Sequence, residues 1–184
     1  MNKETEIATL AGGCFWCTEA IFQRLSGVVS VIPGYAGGHV PNPSYEQVTM
    51  GNTGHAEAIQ IVFDPQQLAY EMLLDVFWHT HNPTTINQQG YDIGPQYRSV
   101  IFYHSPQQLK IAELSLEKIV AEELYNDPVV TEIIPFTDFY LAEEYHQNYY
   151  NTHQDAAYCS AVIDPKLVKL AKMYSVVSTP TTSK

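Results

Sequence analysis

The cysteines are the first residues in this sequence whose types and spacing could do chemistry. Two of the three frame the run 14–17, CFWC, directly after two glycines. A glycine turn leading into a helix places Cys14 at the helix N-terminus, where unpaired N–H groups and the helix dipole favour a thiolate with a lowered pKa. Cys17 follows on the same helical face, within reach of a disulfide with Cys14. This pattern predicts redox chemistry at Cys14, and a buried structural cysteine is the alternative.

A zinc site is the other common use of paired cysteines. It would need about four Cys or His ligands in a recognised spacing. The sequence has a single Cys-x-x-Cys, and His79 and His81 stand beside a predicted loop. We therefore expect no metal site, and we expect His55, His146 and His153 to be ordinary hydrogen-bonding residues.

Glu57 is a second candidate because its carboxylate falls on an apolar strand face. The alternation over residues 56–63 predicts a strand that places Ile59, Ile61 and Phe63 on the same face as Glu57. An unpaired charge there would be costly, and burial would raise the pKa of the carboxyl group. A proton held near neutral pH suits a general acid. An ion pair with Arg98 is an equally good explanation of the pattern.

Two glycine-containing loops supply three further candidates. Tyr35 and Tyr97 border these loops, and Asp92 stands between Gly90 and Gly94 in the second one. Loops of this composition are typical of binding sites. For Asp92 alone, a turn-forming role is the more ordinary explanation.

Alternating strands and helices must position these residues. Strand patterns cover residues 5–10, 28–35, 56–63, 98–103 and 129–135. Helix patterns cover residues 15–25, 65–78, 106–124 and 141–150, and a last helix begins at residues 164–165. This order predicts the α/β or α+β class, a mixed sheet with helices packed on it, but it does not give the strand order.

Composition and charge narrow the function classes. The chain has 184 residues and a net charge of −11, which opposes binding to nucleic acid or to anionic membranes. No run is long and apolar enough to span a bilayer, and the first residues do not resemble a signal peptide. We expect one catalytic domain over residues 1–184, a flexible tail over residues 178–184, and a cytoplasmic monomer.

Several motifs resemble those of the A-type peptide methionine sulfoxide reductases. The four main motifs are Gly12-Gly13-Cys14-Phe15-Trp16, Gly34-Tyr35-Ala36-Gly37-Gly38, Gly54-His55-Ala56-Glu57-Ala58 and Gly94-Pro95-Gln96-Tyr97-Arg98-Ser99. Further likeness runs through residues 64–65, 82–85, 144–147 and 157–159, so that it covers roughly residues 6 to 173. The resemblance implies a two-layer α/β sandwich with a ferredoxin-like core. It also implies reduction of the S epimer of methionine sulfoxide, free or in proteins, as repair of oxidative damage.

The resemblance also implies roles for the candidate residues. Cys14 would be the nucleophile and Glu57 the acid that protonates the sulfoxide oxygen. Phe15 and Trp16 would hold the methyl group of the substrate between apolar rings. The remaining polar groups of the motifs would stabilise the oxygen: Tyr35 and Tyr97 as hydrogen-bond donors, and Asp92 through a bound water.

Regeneration of Cys14 is where this sequence departs from common family patterns. Cys17 replaces a frequent glycine, Pro95 replaces a frequent threonine, and the tail with two further cysteines found in some members is absent. The sulfenic acid formed on Cys14 would be resolved as a disulfide by Cys159 or by Cys17, with Cys159 preferred because residues 157–159 match members with a single tail cysteine.

No bound cofactor is implied, and thioredoxin or another dithiol would be the reductant. Two other functions remain open from the sequence. A general thiol–disulfide oxidoreductase would use Cys14 and Cys17 but would not need Glu57. A binding module could hold methionine-containing peptides without consuming a sulfoxide.

Overall fold

The protein is built on a mixed sheet. The computed structural model describes residues 4–174. Its strands are β1 (Glu6–Gly12), β2 (Val28–Ala36), β3 (Ala56–Phe63), β4 (Gln88–Gln89), β5 (Asp92–Ile93), β6 (Ser99–Tyr103), β7 (Glu132–Pro135) and β8 (Phe139–Leu141). Six of them form one sheet in the order β7-β6-β1-β3-β2-β8, and β4 and β5 form a separate hairpin. All neighbours in the large sheet are antiparallel except β6 and β7.

Helices connect and cover these strands. They are α1 (Phe15–Phe22), α2 (Tyr45–Thr49), α3 (Tyr70–Thr80), α4 (Pro106–Ala121), α5 (Tyr149–Thr152) and α6 (Asp164–Met173). Short 3-10 turns cover Pro95–Tyr97 and Glu144–His146, and a π-helical turn covers Cys159–Ile163. The succession β1-α1-β2-β3-α3-β6, with the strand order β6-β1-β3-β2, is a ferredoxin-like arrangement. The expected class, a mixed sheet with helices packed on it, is confirmed.

The two faces of β3 show why the sheet can carry a buried acid. Ile59, Ile61 and Phe63 belong to the main core, together with side chains of α1 and α3. Ala56 and Ala58 belong to a smaller cluster on the opposite face. Glu57 shares the parity of Ile59, so the strand directs its side chain into the helix-covered layer, as the alternation predicted.

Two predicted helices differ from the structure. The Asp64-Pro65 signal produces only a turn, in which the Asp64 carbonyl accepts from the N–H groups of Gln67 and Leu68. α3 begins afresh at Tyr70. The helix expected over residues 141–150 is wrong, because Leu141 pairs with Gly34 in the sheet and Asn148 adopts a left-handed φ of 54°. Tertiary pairing overrides helical spacing in that segment.

Smaller differences concern loops and ends. The strand expected over residues 129–135 begins only at Glu132. The loop expected between Asn82 and Gln96 contains the β4–β5 hairpin. The tail expected at residues 178–184 lies outside the described residues. No helix within residues 4–174 is long and apolar enough to cross a membrane.

Candidate active site

Cys14 lies where the glycine turn placed it, between the end of β1 and the start of α1. It is the N-cap residue of α1, and its carbonyl accepts from the N–H groups of Cys17 and Thr18 at 3.1 and 3.4 Å. Gly13 makes the turn with a φ of 90°, which favours glycine. A Cβ atom on Gly13 would stand 2.5 Å from the Gln89 side chain. The turn therefore needs glycine for both its conformation and its space.

Glu57 lies directly beside this turn. One carboxylate oxygen, Oε2, accepts from the Phe15 N–H at 3.0 Å, and the side chain is 2% exposed. Desolvation raises the pKa of Glu57 to about 8, opposed by the Phe15 hydrogen bond and assisted by the charge of Asp92. The alternative partner, Arg98, pairs with Glu132 at 3.1 Å instead. Glu57 thus holds a proton at neutral pH at the first N–H of the helix.

The three cysteines share one buried cluster. Cys14 is 8% exposed, Cys17 1% and Cys159 fully buried, and all three are reduced thiols. The Tyr158 hydroxyl lies 3.6 Å from the Cys17 sulfur, and the Cys14 and Cys17 thiols are close enough to shift each other's pKa. Cys159 packs within the same cluster beside Ile163. The structure therefore brings both predicted resolving cysteines to the nucleophile.

The titration of the thiol pair differs from the sequence expectation. Burial, the neighbouring Cys17 thiol and the charge of Glu57 raise the pKa of Cys14 well above its usual range. The neighbouring Cys14 thiol lowers the pKa of Cys17 to about 7, against the effect of burial. The expected lowering at Cys14 was wrong for this closed site, because the surrounding rings exclude water from its sulfur. The pair instead stabilises one thiolate at Cys17.

Asp92 and Tyr158 are hydrogen-bonded to each other next to the thiols. The Tyr158 hydroxyl donates to Asp92 Oδ2 at 2.9 Å, and it lies 3.6 Å from the Cys17 sulfur. Asp92 belongs to β5, so its carboxylate reaches the site from the hairpin. The sequence singled out Asp92 but not its direct partner. Tyr158 lies within the motif at residues 157–159, but nothing in the local pattern shows that residues 92 and 158 meet.

The two predicted phenol donors occupy different positions. Tyr35 pairs with Glu57 across β2 and β3 and is fully buried, and its hydroxyl donates to Glu143 Oε2 at 2.8 Å. Tyr97 packs against the cysteine cluster at the end of the 3-10 turn. Burial raises the pKa of both phenols, so both retain their protons at neutral pH.

Glu143 is a residue that the sequence did not single out. Its Oε1 atom accepts from the Tyr45 N–H at 2.8 Å, while Oε2 accepts from Tyr35. Desolvation raises the pKa of Glu143, but these hydrogen bonds outweigh it and the pKa is lowered overall. Glu143 remains an anion that orients the Tyr35 hydroxyl. In the sequence, Glu143 lies inside the segment 141–150, for which the predicted helix was wrong. Its position in the sequence therefore gave only a weak indication of its role.

Aromatic side chains form a wall next to Cys14. Trp16 is partly exposed and stacks on Tyr149 with ring centroids 3.7 Å apart. Its indole N–H donates to His146 Nδ1 at 3.1 Å. Phe15 is 1% exposed and its ring centroid lies 5.0 Å from that of His146, so only Trp16 of the two predicted methyl-binding rings reaches solvent. His146 and Tyr149 therefore fix the ring of Trp16, which is a predicted contact of the substrate methyl group.

Glu19 connects α1 to the segment that carries Tyr149. Its carboxylate accepts from the N–H groups of Asn148 and Tyr149 at 2.7 and 3.3 Å. The side chain is 2% exposed, and burial raises its pKa to about 7 against the effect of these bonds. Sequence reasoning missed Glu19. An acidic residue at a buried position of an apolar helix was the available signal.

Comparison with known proteins agrees with this geometry. The family model described as peptide methionine sulfoxide reductase matches residues 6–177. A peptide methionine sulfoxide reductase MsrA of Sulfolobus acidocaldarius is 54% identical over 169 residues, which are 92% of this chain and 95% of that protein. The chain belongs to the peptide methionine sulfoxide reductase family.

Solved structures support the same family assignment. The reduced form of Mxr1 from Saccharomyces cerevisiae has a TM-score of 0.80 and 35% identity, covering 86% of this chain and 91% of Mxr1. Mxr1 in complex with Trx2 has a TM-score of 0.58 and 28% identity, covering 81% of this chain and 87% of that one. Among residues 4–174 of this reductase, no group of three His, Cys, Asp or Glu side chains is arranged to hold a metal ion.

Proposed function

We propose that this protein reduces the S epimer of methionine sulfoxide, free or in polypeptides, through nucleophilic attack by Cys14. The observation that carries the proposal is the buried Glu57 carboxyl, hydrogen-bonded to the Phe15 N–H immediately after Cys14. Thiol–disulfide exchange develops negative charge on a leaving sulfur and offers no oxygen for an acid to protonate. Attack on a sulfoxide requires one, because negative charge develops on the oxygen.

The geometry supports a defined sequence of proton movements. Cys17, whose pKa the neighbouring Cys14 thiol lowers to about 7, accepts the proton of Cys14. The Cys14 sulfur then attacks the sulfoxide sulfur while Glu57 gives its proton to the sulfoxide oxygen. Methionine leaves, and the oxygen remains on Cys14 as a sulfenic acid. The methionine sulfur is reduced by two electrons and the Cys14 sulfur is oxidised by two.

The side chains around the thiols suit the substrate. Trp16 and Phe15 would hold the methyl group, with Trp16 fixed by Tyr149 and His146. Tyr97 would donate to the oxygen, and Asp92 would act through Tyr158. Tyr35 donates to Glu143 in the resting protein, so it would exchange that acceptor for the sulfoxide oxygen when substrate binds. Each phenol keeps its proton because burial raises its pKa.

We propose Cys17 as the first resolving residue and Cys159 as the second. The sequence favoured Cys159, but Cys17 lies one helical turn from Cys14 and is the cysteine whose thiol shifts the pKa of Cys14. The Cys17 sulfur would attack the sulfenic sulfur, form the Cys14–Cys17 disulfide and release the oxygen as water. Cys159 would then attack Cys17 and set Cys14 free as a thiol.

Thioredoxin or another dithiol would reduce the final disulfide, with no bound cofactor. Mxr1, a structural neighbour, has been solved in complex with Trx2. A cytoplasmic location is supported by the cysteine content, because three cysteines are too few for the disulfide framework that is typical of secreted domains. The continuous core from β1 to α6 supports a single catalytic domain, which we expect to act as a monomer.

A single-turnover experiment tests the proposal. The pre-reduced protein is mixed with the S or the R epimer of methionine sulfoxide, and methionine and remaining thiols are counted. We expect one equivalent of methionine from the S epimer alone, with the loss of two thiols. Cys14→Ser should form none. Reduction of protein disulfides without any consumption of sulfoxide would instead establish the oxidoreductase alternative.

A further inference from the structure

Lys166 is a partly buried cation in an acidic chain. The sequence has 9 basic residues and a net charge of −11. Arg98 pairs with Glu132, and Lys118 pairs with Asp75. Lys166 is partly buried, yet it takes part in no ion pair among residues 4–174. Its charge is therefore available to a neighbouring group other than a carboxylate.

The start of α6 places Lys166 against the cysteine cluster. Val162 and Ile163 precede it in the same helical run by four and three residues, and Leu167 follows it. All three belong to, or pack against, the cluster that contains the three cysteines. Residues three and four positions apart lie on one face of a helix. The side chain of Lys166 therefore leaves the helix beside the surface that covers the thiols.

Lys166 also lines a cavity beside the turn that carries Cys14. The cavity measures about 490 Å³, and Gln89 is another of its lining residues. The Gln89 side chain stands 2.5 Å from the position of a Cβ atom on Gly13. The cavity wall that contains Lys166 thus reaches the turn at the start of α1, one helical turn from Cys17.

Cys17 is the neighbouring group that needs a positive charge. It is 1% exposed, and an anion at such a position is costly unless opposite charge or hydrogen bonds stabilise it. The neighbouring Cys14 thiol lowers the pKa of Cys17, the charge of Lys166 lowers it further, and burial and the charge of Asp92 oppose them. The titratable groups that face Cys17 from the surrounding elements are Cys14, Glu57, Asp92, Tyr158, Cys159 and Lys166. Lys166 is the basic residue in this set.

We propose that the Lys166 ammonium is a positioning residue that keeps Cys17 in its thiolate form at neutral pH. This inference rests on the proposed function and deepens it, because the Cys17 thiolate is the group that accepts the proton of Cys14. The interaction acts through a poorly hydrated interior, where the attraction between opposite charges is stronger than in water. Without Lys166, the charge of Asp92 would favour the neutral thiol.

The test measures the thiolate directly, in pre-reduced protein without sulfoxide. Every variant is made in Cys159→Ser, so that ultraviolet thiolate absorbance between pH 5 and pH 9 gives the midpoint at which Cys14 and Cys17 lose their first proton. The variants are Lys166→Met, which keeps an apolar stem, and Lys166→Arg, which keeps the charge. The matched control is Lys172→Met, which removes the same charge from an exposed position later in α6.

We expect Lys166→Met to raise the midpoint from about 7 by about one pH unit, because the thiolate loses a nearby opposite charge. Lys166→Arg should restore the midpoint. Lys172→Met should change it by less than about 0.3 pH unit, because solvent and salt screen an exposed charge. In single turnover with the S epimer, the acid side of the pH–rate profile of Lys166→Met should move by the same amount, and the rate above the midpoint should change less than about twofold.

Three results would contradict this inference. An unchanged midpoint in folded Lys166→Met would overturn it, and so would an equal shift in Lys172→Met, which would show an effect of net charge alone. Lys166→Gln is the second variant, and loss of folding in both the Met and the Gln variants, measured by circular dichroism, would show a structural role and reject the proposal. Because the titration needs no substrate, the expected shift in a protein that reduces no sulfoxide would support the effect of Lys166 on Cys17 and reject the proposed function alone.

Discussion

The two halves of the active site are held in different ways. The sheet-held half comprises the turn 12–16, Tyr35 and Glu57, which lie on or next to central strands and α1. The carboxyl-terminal half comprises residues 148–173, with Cys159 inside it. α5 buries no residue and α6 buries only Leu170. The attacking sulfur and the acid are thus fixed by the core, and Cys159 is carried by a thin outer layer.

This difference matches the two tasks of the reaction cycle. Attack on the sulfoxide requires an acid and a nucleophile in one fixed geometry. Regeneration requires a sulfur that an external dithiol can reach, yet Cys17 and Cys159 are almost fully buried in the reduced protein. A layer with few buried side chains opens at lower free energy than a sheet does. The half that must move is therefore the half with the weaker packing.

The sheet-held half should fail most severely when its acid is removed. We expect Glu57→Gln to lower the single-turnover rate about 10²- to 10⁴-fold, the usual contribution of a general acid. In the wild type the rate should rise with pH through about 7, as the thiol pair loses its first proton, and fall as Glu57 loses its proton through about 8. The variant should lack the alkaline decline.

The same substitution separates catalysis from stability. The pKa of Glu57 is raised from 4.5 to about 8 in the folded protein, so the folded state binds more protons between these values. Folding stability therefore falls as pH rises through that range, and Glu57→Gln should remove the decline. Urea titrations at pH 5 and pH 9 measure the free energy of unfolding of the wild type and of the variant, with the exposed Glu117→Gln as the control. A Gln variant that keeps the alkaline decline in rate would show that another group supplies the proton.

Substitution of each resolving cysteine tests the order in which the two halves contribute to the regeneration of Cys14. Cys17→Ser should still release one methionine per protein, because Cys14 and Glu57 remain, but more slowly than the wild type, because the group that accepts the Cys14 proton is lost. Its sulfenic acid should persist and be trapped by dimedone. Cys159→Ser should form the Cys14–Cys17 disulfide normally and lose about tenfold in multiple turnover with thioredoxin. Peptide mapping of the disulfides checks both. A Cys14–Cys159 disulfide formed first in the wild type would reverse the proposed order.

The glycine turn offers a matched pair of substitutions. Gly13 and Gly90 both have positive φ, at 90° and 61°, but only at Gly13 does an added Cβ meet a side chain, Gln89 at 2.5 Å. Gly13→Ala should therefore destabilise the protein by about 1–3 kcal/mol more than Gly90→Ala and displace Cys14. Thermal unfolding and the single-turnover rate measure the two effects. Equal losses of stability in both variants would mean that the positive φ alone, and not the contact with Gln89, determines the effect.

Local sequence patterns predicted the sheet-held half well. Alternation along β3 is a short-range signal, and it correctly placed Glu57 on a buried face. The paired glycines likewise predicted a turn that leaves Cys14 at the N-cap of α1. The pKa of Cys14 was not predictable in this way, because it depends on Glu57 and on the aromatic rings that close the site.

The carboxyl-terminal half and residues 141–147 before it were predicted poorly because their structure depends on distant partners. Residues 141–150 have helical spacing, but the pairing of Leu141 with Gly34 and the contacts of Asn148 with Glu19 decide their conformation. The meeting of Tyr158 with Asp92 is likewise a contact across 66 positions. A motif can mark such residues, but local periodicity carries no information about which strand or loop they reach.

Substitution of Glu19 tests how strongly the carboxyl-terminal half is attached to the core. In Glu19→Gln, one amide oxygen replaces two carboxylate oxygens, so the N–H groups of Asn148 and Tyr149 lose one acceptor. The change should cost about 1 kcal/mol, and it should raise hydrogen exchange at residues 148–153 while β1 stays protected. Because the substitution leaves Cys14 and Glu57 in place, the first turnover should change little. A parallel loss of protection in β1 would show that the two halves open as one unit, and the division of tasks between them would fail.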